Sequence, residues 1–166
     1  MTTTDKNRLR GDVLVRLEQE FELPAETIYL LHLAPLIEML WADGMDQAAE
    51  RELVRDYAGR LQATWQEKAG TPVISDAAVN AFLDRFLASP AEVHVLTELR
   101  HLLIQLGSRD PAAGVLSLDT VLDYCIDISA CAVNHYPYGM HERVTEREKQ
   151  LLKELVAEIS ALPCEG

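Results

Sequence analysis

Asp43, Asp46 and Glu50 fall in one short stretch between two apolar runs, where the chain must turn from one helix into the next. A hard divalent cation wants several carboxylate and carbonyl oxygens converging from such a turn, and these side chains can supply two or three of them. The same residues also have a plainer use. Asp46 can cap the following helix, Glu50 can complement its N-terminal dipole, and Asp43 can stand in water. Residue type and spacing leave both readings open.

A second constellation is the ExxH formed by Glu98 and His101, a spacing that puts both side chains on one helix face. Ferritin-like di-iron bundles build their centres from two such pairs and two more glutamates, and this chain has one pair. With Glu38, Asp123 or Asp127 converging on it in a bundle core, it would make a di-metal carboxylate oxidase or oxygenase. Leu99 and Leu103 mark the apolar face of that segment, however, which makes surface residues of Glu98 and His101 on the plainer reading. His135 and His141 bracket the Tyr136-Pro137-Tyr138-Gly139 stretch beside Glu142, where a transition-metal site would need a fourth ligand and a rigid loop. Packed tyrosines with exposed histidines are the ordinary alternative. Cys125 and Cys131, six apart on one helix, point to different faces and read as small core residues. No Gly-rich phosphate loop, GxSxG or HExxH occurs, so hydrolase and nucleotide-binding readings have no foothold.

The elements that must position these groups are all helical. Leu9, Val13, Leu17 and Phe21 recur every four residues and predict a first amphipathic helix ending near Glu22. A second runs from Pro24 through Ile28, Leu31, Leu36 and Leu40 to Gly44, with a kink expected at Pro35 where an amide is missing. Leu53, Tyr57, Leu61 and Trp65 carry a third to a stop at Gly70, and Val79, Phe82, Leu83 and Phe86 a short fourth capped by Ser75 or Asp76. Ser89, Pro90 and Glu92 form a capping box for a fifth helix through Leu96, Leu99 and Leu103 to Gly107. Residues 108–116 read as a loop. Ser117 caps a sixth helix with Val121, Leu122, Cys125, Ile126 and Ala132 inward, and Thr145 with Glu148 opens a seventh running to Leu162. The fold class is therefore all-α, a single domain over 1–166 built as a helical bundle or orthogonal array.

Composition sets the company this domain keeps. Its 166 residues suffice for one core, and 48% apolar with 25% charged residues is ordinary for a globular protein. A net charge of -12 repels phosphate backbones and anionic bilayers, so neither nucleic acid nor membrane is an expected partner, whereas cations and basic protein surfaces are favoured. An odd number of cysteines without CxxC spacing, a polar start and no apolar run of about twenty residues point to a reducing, cytoplasmic setting.

Two parts of the chain share a plan, an apolar helix, a polar break and then a helix opening with acidic residues. Laying Glu50 on Glu148 superposes Leu53 on Leu151, Val54 on Leu152, Tyr57 on Leu155 and Leu61 on Ile159. The preceding helices align with Trp41, Ala42 and Asp43 on Ala132, Val133 and Asn134. Any two amphipathic helix pairs align about this well, so duplication and coincidence stand side by side. Leu40-Trp41-Ala42-Asp43-Gly44, a short turn, then Glu50 and Leu53 resembles the signature of the TerB-like tellurite-resistance family, and Val144-Thr145-Glu146-Arg147-Glu148 looks like its second copy. The resemblance covers 24–68 and 117–162, with a helical insert at 75–107. It implies an all-α fold of about seven helices and a non-enzymatic scaffold, tied to tellurite or metal stress, that binds a divalent ion of unassigned identity, a protein partner or both. A homodimer is compatible with it. It also implies second-copy candidates at Asn134, His135 and Glu148. The sequence departs from the signature in having Ala49 where an acidic residue would complete the cap, and Asn134 and His135 where Asp-Gly is expected. A purely structural interaction domain is the remaining alternative.

Overall fold

The computed structural model describes residues 2–42, 48–131 and 146–163. Among the described residues seven α-helices follow one another: α1 Thr3–Gln19, α2 Leu33–Ala42, α3 Ala48–Ala69, α4 Asp76–Leu87, α5 Val93–Leu106, α6 Leu118–Cys131 and α7 Glu146–Ser160. Short 3-10 turns at Ala25–Leu30, Pro90–Glu92 and Pro111–Leu116 join them. Among the described residues the extended structure is one isolated parallel bridge, Ser108 to Ser117. None of their helices is long and apolar enough to cross a membrane.

α2 is the axis of the bundle. Every residue from Leu33 to Ala42 is buried, and Glu38 is the one charged side chain among them. An apolar helix with no polar face must be covered on all sides, and α3, α5, α6 and α7 do this. α1 packs on the 3-10 turn at Ala25–Leu30 and on α5 through Val13 and Leu17, with most of its surface in water. A single apolar cluster runs through the described residues of all seven helices.

Several local readings are corrected. The single kinked helix expected over 24–44 is a 3-10 turn, a break at Leu31 and His32, and a fresh α-helix from Leu33. Pro35 thus sits in the first turn of α2, where a missing amide leaves no vacant hydrogen bond. The expected capping box at Ser89 forms by half: Ser89 Oγ accepts from the Ala91 amide at 3.3 Å, but Glu92 turns to Arg85, with oxygens 2.9 and 2.8 Å from Nε and a terminal nitrogen. A two-pronged guanidinium outcompetes a single neutral amide. In α6 the inward face is Leu118, Val121, Cys125 and Ile128, while Ile126 is exposed. Residues 108–116 are an anchor more than a loop. Tyr57 Oη donates to the Val115 carbonyl at 2.6 Å, and His32 Nε2 to the Leu116 carbonyl at 3.2 Å.

Two glycines matter for different reasons. Gly70 ends α3 at φ +73, the left-handed stop that its position after the apolar stripe implies. Gly107 has ordinary backbone angles but lies where a Cβ would stand 2.8 Å from the Leu103 carbonyl oxygen and from both Leu118 methyls. Gly107→Ala is expected to cost about 1 to 3 kcal/mol, the usual range for overpacking. Urea unfolding checks this, and an unchanged midpoint would mean that α5 and α6 can part at no cost.

Candidate functional site

The acidic helix starts come first. Glu50 in the first turn of α3 and Glu148 in the first turn of α7 are both only 1% exposed. A glutamate serving the helix dipole alone normally stays in water, so burial at both positions is unusual. Under the alignment of the two helix pairs, burial agrees at some paired positions and differs at others. Tyr57 and Leu155 are both buried, as are Leu61 and Ile159, and the shift that lays Trp41 on Ala132 matches buried Leu30, Ala34 and Ile37 with buried Val121, Cys125 and Ile128. Leu53 and Val54 exchange places with Leu151 and Leu152, since Val54 and Leu151 are the buried members. Asp43, Asp46, Asn134, His135, His141 and Glu142 lie outside the described residues.

The alternative di-metal set is not gathered. Glu98 and His101 are exposed on α5, and Glu98 lies 3.6 Å from Arg16. Asp123 and Asp127 are exposed on α6. Glu38 alone is buried. Among the described residues no three His, Cys, Asp or Glu side chains stand close enough to share an ion.

Carboxylates do converge, on a residue that the ExxH pattern overlooks. Arg100, 2% exposed, sits between Leu96 and Leu103 on the apolar face of α5. Its Nε lies 2.8 Å from Glu38 on α2, and its terminal nitrogens reach Glu158 at 2.9 Å and Glu154 at 3.3 Å on α7. The Glu38 contact is an ion pair without hydrogen-bond alignment. The other Glu38 oxygen accepts from Thr97 Oγ1 at 2.9 Å. Burial above all pushes the Glu38 carboxyl above the ordinary range, Arg100 and Thr97 oppose this, and Glu158 and Glu154 add to it. One guanidinium thus does for three helices what a metal does in a carboxylate bundle, neutralising acids that face inward. The signal was present in the sequence as an arginine in phase with leucines.

The remaining reactive side chains are quiet. Burial pushes the Cys125 thiol and the Tyr57 hydroxyl well above their usual values, so both stay protonated at neutral pH. His32, just before α2, is pushed down to about 4 by burial, against the pull of the Leu116 carbonyl. It is a neutral imidazole with its proton on Nε2, and its Nδ1 has no partner among the described residues. His32 stands in the wall of a cavity of about 460 Å³ shared by α1, the first 3-10 turn, α3 and the end of α5.

Comparison with family models, curated proteins and solved structures finds no match. The TerB-like resemblance therefore rests on the residues of the chain itself.

Proposed function

We propose that this chain is a non-enzymatic, TerB-like helical module whose two acidic helix starts hold a divalent cation, and whose acidic surface engages a basic protein partner. The observation that carries the reading is the burial of Glu50 and Glu148 at equivalent places on α3 and α7. Burial holds both carboxylates in place at the helix starts, where a cation could join the partners they already have and add positive charge. Asp43 and Asp46 precede Glu50 in the sequence and are the oxygens it would share the ion with. A net charge of -12 raises the local concentration of any cation near these turns. The tellurite or metal-stress context belongs to the same proposal and rests on the signature alone.

Calorimetric titration of metal-free protein with calcium, manganese and zinc tests it. Heat saturating at one equivalent or more is expected, and Glu50→Gln or Asp43→Asn should weaken the response by about tenfold or more, the loss of one charged ligand. No heat at roughly millimolar ion, about the weakest range of protein calcium sites, would remove the cation from the reading. Glu148→Gln separates the copies: an effect equal to that of Glu50→Gln means that both helix starts bind.

A further inference from the structure

The cavity beside His32 has a character opposite to that of the rest of the chain. Its volume of about 460 Å³ lies within the range of small-molecule sites, roughly 300 to 1,000 Å³. Tyr29 and Trp65 contribute an aromatic corner, with ring centroids 5.0 Å apart and edge to face, and leucines of α5 complete an apolar floor. Around this stand Lys6, Arg10 and Arg109. Among the described residues no aspartate or glutamate lines the cavity, in a chain with 27 acidic residues against 15 basic ones.

The cations keep capacity to spare. Arg10 gives one terminal nitrogen to Tyr29 Oη at 2.9 Å, and its guanidinium lies over the same ring at 5.3 Å, with no carboxylate on it among the described residues. Arg109 meets Asp119 through Nε, 3.1 and 3.4 Å from the two oxygens, and its terminal nitrogens have no partner among the described residues. Lys6 likewise has no ion pair among them. A planar guanidinium with free N–H groups is shaped to receive a carboxylate. His32 adds a buried polar group whose Nδ1 is unsatisfied among the described residues.

We propose that this cavity binds a small amphipathic carboxylic acid, its apolar body against Tyr29, Trp65 and the α5 leucines and its carboxylate met by Arg10 and Arg109. Lys6 adds long-range attraction. The site is separate from the acidic helix starts of α3 and α7, so the two proposals stand or fall independently.

The full chain is titrated with 3-phenylpropanoate, octanoate and the neutral 3-phenylpropanamide, followed by Trp65 fluorescence and by calorimetry. The acids are expected to bind with a Kd on the order of 100 µM, reasonable for about ten heavy atoms, and the amide at least about tenfold more weakly, one charge-assisted contact's worth. A tripeptide ending in phenylalanine offers the same ring and carboxylate on a longer chain; binding tighter than the free acids would reassign the site to a protein C-terminus and overturn the small-acid proposal. Arg109→Gln and Arg10→Gln should each weaken acid binding about tenfold, with circular dichroism unchanged. Should Arg109→Gln fail to fold for want of its contact with Asp119, Arg10→Gln on the exposed face of α1 decides. Equal affinity for acid and amide, no response at about 5 mM acid, or full affinity in the Arg10 variant would each overturn it.

Discussion

Arg100→Ala is expected to destabilise the protein by about 3 to 5 kcal/mol, the largest effect of any single polar substitution considered for this chain. The magnitude follows from what is left behind. Without the guanidinium, Glu38 keeps its place in α2, a helix buried at every position, with one hydroxyl from Thr97 as its only described support. Glu154 and Glu158 on α7 lose the partner that draws them toward α5. A paired buried charge contributes modestly, but an orphaned one is costly because it has neither water nor a counter-ion. The double variant Arg100→Met with Glu38→Leu should recover most of the loss, since both charges leave together and similar volume remains. Urea unfolding of the single and double variants measures this as a cycle. A loss under about 1 kcal/mol in the single variant would show that α2, α5 and α7 are held by apolar packing alone.

The two levels of this molecule were not equally legible in its sequence. Helices α3 to α7 followed from four-residue apolar spacing, and Ser75 caps α4 by accepting from the Ala78 amide at 3.1 Å, as the serine before the apolar run implies. Periodicity reports which face is covered, and these helices are covered on one face. It reports nothing for α2, where Leu33 to Ala42 is buried all round, and there Pro35 suggests a kink that the chain avoids by restarting the helix. The site was harder to read because burial of a charged residue depends on partners distant in sequence. Arg100 and Glu38 stand 62 positions apart, whereas a run such as ExxH joins only neighbours. The more reliable clue was the misfit itself: a charge in phase with leucines marks a place where another element must answer it. Glu50, Glu148 and Arg100 all carried that mark. The cavity left a fainter trace, since Lys6 and Arg10 of α1, His32, Trp65 and Arg109 come from four separate segments and only the first two share a helical spacing.

His32 should make the fold acid-sensitive by about 3 kcal/mol between pH 6.5 and pH 4. In the unfolded chain its imidazole takes up a proton near its ordinary 6.5, whereas in the fold it does so only at about 4. The unfolded state therefore binds more protons throughout that window. Stability is complete above 6.5, falls as the pH drops, and levels off below 4; the interval corresponds to about 3 kcal/mol. Among the described residues nothing rescues the charged form, because the Leu116 carbonyl offers one contact and the same cavity wall carries Lys6, Arg10 and Arg109 with no acid. Glu38 works in the opposite direction. Its raised value means that the fold gains on acidification as Glu38 takes up its proton before the unfolded chain does. Glu92, held below its ordinary value by Arg85, loses stability only further down, as the pH falls through its own lowered range. The wild-type curve is thus a composite, and the informative quantity is its difference from His32→Gln, which keeps a donor for the Leu116 carbonyl but cannot titrate. That difference should shift by about 3 kcal/mol in favour of the variant as the pH falls from 7 to 4. A flat difference would mean that His32 is hydrated or mobile enough to protonate in the fold, and the cavity beside it would then be wetter than its walls imply.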